Sequence, residues 1–172
     1  MLSFAQFLLE VLRAPLPWKW GRNGNEPHTY MANFRVGWMT YEVFFSNYVS
    51  NDSTRWSVNF GPDDTTINII ANKRGVEFDD VDPYDTLRLG AGDSLKVFST
   101  VIAIIQAFVE REHATVIRFQ RTDNNRGRQN MYNRFVVQVG QALPGWKGIN
   151  IGYGEYALWS PDVPNYDPHE EL

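Results

Sequence analysis

The longest regular pattern in this 172-residue chain is a run of apolar side chains at helical spacing between residues 93 and 112. These side chains occupy one wide face of the predicted helix, and further apolar residues extend that face around its circumference. A helix that is apolar on most sides has to be covered by other parts of the protein. We therefore expect a helix from Asp93 to Glu112 that is buried against a sheet. The face is formed by Val97, Val101, Ile104, Ile105 and Phe108, and extended by Phe98, Ile102 and Ala103.

Strand-like patterns dominate the chain before this helix. In each of four runs, aromatic or β-branched side chains are frequent, and turn residues separate one run from the next. Short connections between strands imply antiparallel pairing. The predicted strands are Thr29–Val36, Thr40–Tyr48, Arg55–Phe60 and Thr66–Ala71.

An acidic loop follows the last of these four predicted strands. After this loop, the pattern changes to helices that alternate with strands. We predict a short strand, the long helix, another strand, a second helix and a last strand. This order predicts an α+β fold with a mixed, largely antiparallel sheet that is flanked by helices. The predicted elements besides the long helix are Thr86–Leu89, Ala114–Phe119, Gly127–Gln141 and Ile149–Leu158.

Both ends of the chain have distinct patterns. Residues 2–13 predict a short amphipathic helix, which either packs on the sheet or docks a partner. Pro15 and Pro17 end it, and it lacks the basic start and small-residue cleavage site of a signal peptide. Residues 160–172 contain three prolines and predict an irregular tail. We expect a single domain over residues 1–159.

Composition argues against several functional classes. The chain has 0 Cys, which excludes disulfides and thiolate metal sites and fits a reducing compartment such as the cytoplasm. Its three histidines are scattered without ligand spacing, so we expect no metal site. A net charge of -4 disfavours nucleic acid as a partner. No stretch is apolar for long enough to cross a bilayer, so we expect no membrane contact.

A glycine-rich turn precedes the long helix. Gly90, Ala91 and Gly92 follow the predicted strand, and Asp93 and Ser94 open the helix. Glycines allow a ligand to approach the main chain, and the first amides of a helix suit a pyrophosphate. The alternative is a tight turn in which Asp93 or Ser94 caps the helix.

A second polar segment, residues 121–132, follows the next predicted strand. Arg121, Arg126 and Arg128 could neutralise phosphates, and Tyr132 could donate a proton. The segment could equally be a solvated basic loop with Tyr132 packed inside. As a nucleic-acid patch it is short and lies in an acidic chain.

These features together resemble the second half of a GNAT (GCN5-related) N-acetyltransferase, over about residues 84–158. In that family a glycine loop holds the pyrophosphate of coenzyme A, and a later helix carries an Asn and a Tyr that protonates the departing thiolate. The resemblance implies acetyl-CoA as the cofactor and Tyr132 as the general acid. The implied cofactor-binding residues are Leu89, Gly90, Ala91, Gly92, Asp93, Ser94, Asn125 and Arg128.

Some residues depart from the family pattern. Leu87 stands where the family prefers Gln or Arg, and Arg128 stands where a small residue is usual. The glycine-aromatic pair expected soon after the Tyr is absent, unless it is displaced to Gly145 and Trp146. The departures affect the expected catalysis more than the expected fold.

Two functions follow from the resemblance. One is an acyl-CoA-dependent N-acyltransferase, in which Glu42 on a strand would deprotonate the acceptor amine through water. The other is a GNAT-like domain without catalysis that binds a protein partner or self-associates through its sheet edge or its N-terminal helix. The segments KVFSTVIAIIQAFVE and GRQNMYNRFV also resemble small proteins of tailed bacteriophages. That likeness implies phage origin and a place in the host cytoplasm or the virion.

Overall fold

The computed structural model describes residues 14–21, 28–81, 91–120, 126–152 and 154–170, and only the backbone of 91–94, 120 and 126–132. This part of the chain contains seven strands, three α-helices and one 3-10 turn at Phe78–Asp80. The strands are β1 (Trp18–Trp20), β2 (Thr29–Val36), β3 (Met39–Asn47), β4 (Arg55–Pro62), β5 (Val116–Gln120), β6 (Lys147–Gly152) and β7 (Glu155–Trp159). The helices are α1 (Asp64–Arg74), α2 (Ala91–Glu112) and α3 (Arg126–Ala142).

The strands form a mixed sheet in the order β1-β2-β3-β4-β5-β7-β6. β4 and β5 are parallel, with a register that runs from Arg55–Val116 to Val58–Phe119. β1 pairs with β2, and β7 with both β5 and β6, in antiparallel fashion. The connection between the parallel strands contains both α1 and α2, and parallel pairing requires a long crossover of this kind. The predicted α+β class with a mixed, mostly antiparallel sheet is confirmed.

The chain divides into two compact units. Both units include parts of β3, β4 and α2, so the boundaries between them cut through regular elements. That residues 1–159 fold as a single domain stays a prediction, and the helix predicted at 2–13 lies outside the described residues. Unit 1 consists of Met1–Asn25, Tyr30–Phe44 and Phe60–Ile104, and unit 2 of Glu26–Thr29, Phe45–Asn59 and Ile105–Leu172.

The prediction of a strand at Thr66–Ala71 was wrong, because this segment lies in α1. The β-branched residues of the segment imitate a strand pattern, but the capping residues determine the outcome. The side chain of Asp63 accepts a hydrogen bond from the amide of Thr66 at 2.7 Å, which satisfies a free donor of the first turn. At the other end, Gly75 ends the helix in the left-handed conformation, with φ of 68°.

Smaller differences concern the ends of other elements. α2 begins at Ala91, two residues before the predicted start. The predicted last strand, Ile149–Leu158, is instead two antiparallel strands, β6 and β7, whose pairing extends to Gly152 and Glu155. The first strand, β1, was missed because it is only three residues long. The segment predicted as a strand at Thr86–Leu89 lies outside the described residues.

The core of unit 1 is built from aromatic and aliphatic contacts. The rings of Phe34 and Tyr41, on adjacent strands, stack with their centroids 5.6 Å apart. Phe60 meets Phe98 of α2 edge to face at 6.1 Å. Such contacts stabilise the packing of helix on strand beyond the burial of area alone. α1 adds a smaller buried cluster of Ile67, Ile70 and Ala71 with Val81.

In unit 2, helices cover one face of the strands. Trp56 and Phe119 lie on this face, because Trp56 pairs with Ile117 and side chains alternate along each strand. Phe108 of α2 contacts Trp56, with ring centroids 5.0 Å apart, and Phe135 of α3 contacts Phe119 at 5.7 Å. All four rings are buried. The predicted burial of the long helix is therefore confirmed at Phe108, its residue in these contacts.

Candidate functional site

The described residues include only part of the predicted coenzyme site. Ala91, Gly92, Asp93 and Ser94 form the first turn of α2, where amides lack acceptors within the helix. Arg128 and Tyr132 belong to the backbone of α3. Leu89, Gly90 and Asn125 lie outside the described residues. The arrangement of these side chains around a cofactor therefore stays a prediction.

Glu42 is the one predicted catalytic residue whose side chain is described. It is half-buried on β3, while its neighbours Tyr41 and Val43 are fully buried on the other face, as alternation predicts. Burial raises the pKa of the Glu42 carboxyl, and the negative charges of Asp63 and Asp64 raise it further. A carboxyl with a raised pKa holds a proton more readily and is a stronger base when ionised.

The raised pKa of Glu42 predicts a pH-dependent effect of its replacement. The stabilising contribution of the protonated Glu42 carboxyl to the fold is complete below the unfolded-state pKa of about 4.3. It is lost as the pH rises through the folded-state pKa. We expect Glu42→Gln to raise the melting temperature at pH 7 more than at pH 4. Thermal unfolding at both pH values measures this. An equal change at both would show that ionisation of Glu42 does not oppose folding.

The described part of unit 2 contains an open cleft of about 530 Å³ between α3 and the β6–β7 hairpin. Val136, Val137 and Gly140 of α3 form one wall. Tyr156 and Leu158 of β7 form much of the floor. The volume lies in the range of natural ligand pockets, and the mainly apolar lining is also typical of them.

Two glycines give the cleft its shape. A Cβ atom at Gly140 would meet only Leu158 Cδ2, at 3.5 Å, so the space beside this part of α3 is open. A Cβ atom at Gly148 would overlap Leu158 Cδ2, because the side chain of its cross-strand partner Leu158 lies over this glycine. The absence of a side chain at Gly140 therefore leaves this space open, and Gly148 leaves room for Leu158 to form part of the floor.

Polar groups at the cleft are neutral amides. Asn133 and Gln141 come from α3 and Asn150 comes from β6, and Trp146 lines the cleft just before β6 begins. The side-chain oxygen of Asn150 accepts a hydrogen bond from the Gly152 amide at 2.8 Å. Within the part of the chain that the structure describes, no charged side chain lines the cleft. Of these residues, the sequence singled out only Trp146, as a member of the displaced glycine-aromatic pair.

The second face of the unit 2 strands carries a polar cluster. Arg118 of β5 donates hydrogen bonds from Nε and Nη2 to the hydroxyl of Tyr166, at 3.3 and 3.2 Å, and from Nη2 to the carbonyl of Pro168 at 2.9 Å. Its guanidinium also lies 5.3 Å from the ring centroid of Tyr48. Arg55 lies over the Tyr166 ring at 5.6 Å. The irregular tail is therefore fixed to the sheet by a partly buried arginine rather than by regular structure.

The pKa of Tyr48 in this cluster is raised well above its usual value of about 10. Burial is the main cause, followed by the charge and hydrogen bond of Tyr166, while Arg118 and Arg55 act in the opposite direction. The stabilising effect of the neutral phenol is complete below pH 10 and is lost as the pH rises above it.

We therefore expect the free energy of unfolding to fall with pH above about 10, and to fall less steeply in Tyr48→Phe. Because the slope is compared, the hydrogen bond that the variant loses at every pH does not affect the result. Denaturant titrations between about pH 9 and pH 12 measure both slopes. Identical slopes would contradict the assignment of the alkaline loss to Tyr48.

Metal-binding clusters and membrane-spanning helices are both absent from the same described ranges. These ranges contain no group of three or more His, Cys, Asp or Glu residues that could hold a metal ion. Among their helices, none is long and apolar enough to cross a membrane. The cleft and Glu42 are therefore the two features of the described residues that we consider for function.

Comparison with known proteins does not identify a relative. The chain matches no model of a protein family, no curated protein and no solved structure.

Proposed function

We propose that this chain is a non-catalytic binding domain of GNAT-like type that contacts a protein partner. The observation that carries the proposal is the open cleft beside α3, with its apolar floor and its rim of amides. The setting implied by the likeness to tailed-phage proteins is a structural or binding component of a phage.

An exposed apolar side chain at the cleft supports a protein partner. Val137 of α3 is 54% exposed and lines the cleft. Ile149 borders the cleft, but its side chain lies on the other face of β6, since it pairs with Ala157, the partner of Arg118. Exposed apolar groups next to neutral hydrogen-bonding groups are common at the centres of protein interfaces, where charged residues are depleted. Trp146 adds a residue type that is enriched among the residues that dominate binding energy.

Site-specific photo-crosslinking in the cells that produce the protein tests this proposal. A photoreactive phenylalanine replaces Val137, and the control carries it at Ile69 of α1, which is also exposed, at 37%. We expect one discrete crosslinked partner from position 137 and not from position 69. The same adducts from both positions, or none from position 137, would contradict a partner site in the cleft.

The second candidate function is an acetyl-CoA-dependent N-acyltransferase, and Glu42 is the observation in its favour. Burial, Asp63 and Asp64 raise the pKa of this carboxyl, as a general base near neutral pH requires. Ala91 and Gly92 in the first turn of α2 would supply amides for the pyrophosphate. Tyr132 would be the general acid.

A thermal-shift measurement with acetyl-CoA separates the two functions. A ligand at a hundredfold excess over its dissociation constant adds about 2.7 kcal/mol of stability. The binding-domain proposal predicts no shift at millimolar acetyl-CoA. A shift that Gly92→Trp abolishes, together with acetyl transfer to an amine, would establish the enzyme instead.

A further inference from the structure

We infer that the cleft binds an extended peptide that adds a strand to β6, inserts uncharged side chains beside Gly140, and carries acidic residues at its flanks. This inference rests on the proposed function and specifies the chemistry of the partner segment. It depends on three properties of the described residues: a free strand edge, a neutral cleft and exposed cations next to it.

The free edge belongs to β6. This strand is last in the sheet order and pairs with β7 on one side, so its other edge carries no strand within the described residues. Alternate amide and carbonyl groups of an edge strand point away from the sheet and can pair with another chain. Peptides that bind in this way gain affinity from the main chain and specificity from pockets for alternate side chains.

A bulge limits the length of this edge. The register of β6 on β7 shifts between Asn150 and Gly152, and the Gly152 amide is bound by the side chain of Asn150. Regular pairing is therefore available only along Lys147–Asn150, and a partner strand is short. The same bulge protects β6 from indefinite edge-to-edge association, since bulges twist an edge away from further strands.

The cleft beside this edge favours uncharged side chains. Its lining is uncharged, and burying an unpaired charge in such surroundings is costly, so the inserted side chains are neutral. Arg134 and Lys147 are exposed. Arg134 directly follows the lining residue Asn133 on α3. Lys147 pairs with Trp159, so its side chain lies on the face of β6 opposite the cleft, where an added strand would place its alternate side chains. Acidic residues that flank the inserted segment would be attracted to these two cations.

Selection from a display library of random heptapeptides tests the inference. The full chain is the target, and Gly140→Trp is the counter-target, because its indole would occupy the space beside α3. We expect enriched peptides with apolar residues at alternate positions and Asp or Glu near the ends. They should bind Gly140→Trp at least tenfold more weakly, and Lys147→Glu should weaken them through charge repulsion.

Other outcomes would overturn the inference. Enriched peptides that bind Gly140→Trp equally well, that show helical spacing of apolar residues, or that are basic would each exclude it. Failure to obtain any peptide that discriminates between the two proteins would also exclude it. In that case a discrete crosslink from position 137 would still support a partner at the cleft, so the two proposals can fail separately.

Discussion

Tyr166→Ala is expected to lower the free energy of unfolding by about 3 kcal/mol, although Tyr166 lies in a segment without helix or strand. The substitution removes the ring that contacts Trp159, with centroids 5.7 Å apart, and Arg55. It also removes the hydroxyl that accepts hydrogen bonds from Arg118, whose side chain is only 14% exposed. A buried cation that loses acceptors retains the cost of its desolvation.

Tyr166→Phe is the matched control. It keeps the ring and its contacts but removes the acceptor, so we expect a smaller loss of about 1 to 2 kcal/mol. Denaturant unfolding of the three proteins measures both changes. If Tyr166→Ala were as stable as the wild type, the tail would not be fixed to the sheet in solution.

Gly140→Trp is expected to reduce affinity for the partner captured at position 137 by about 30-fold, equivalent to about 2 kcal/mol. The indole would fill the space beside α3 that the absence of a side chain leaves open. Calorimetry with the purified partner gives the affinity, and circular dichroism shows whether the variant remains folded.

Gly140→Ala is the control for this substitution. Its methyl group would make an ordinary contact with Leu158 and leave most of the cleft open. We expect its affinity to stay within about twofold of wild type, and its stability to rise by about 0.5 kcal/mol, since alanine favours the helix. Equal affinities for wild type and Gly140→Trp would remove the cleft from the interface.

The sequence predicted the elements that have a clear period and overlooked those decided by local capping or by length. The apolar period of α2 and the alternation in β3 predicted both elements to within two residues of their observed starts. The run at Thr66–Ala71 failed because β-branched residues favour a strand, while the caps at Asp63 and Gly75 favour the helix that forms.

The candidate cleft was harder to predict from the sequence, because it is an open space between elements and has no sequence motif. Gly140 and Gly148 are eight residues apart and lie on different elements, and only their shared neighbour, Leu158, shows that they face one cleft. Glu42 could be selected from its place on a strand. Its raised pKa depends on burial and on Asp63 and Asp64, which the sequence separates from it by about twenty residues.

The central claim is that a partner occupies the cleft. Hydrogen–deuterium exchange of the full chain, with and without the purified partner identified by crosslinking, tests it most directly. A partner that occupies the cleft by adding a strand should slow the exchange of amides in Lys147–Asn150 and in the adjacent part of α3. Unchanged exchange in β6, with protection confined to the first turn of α2 and its surroundings, would place binding elsewhere and contradict the account.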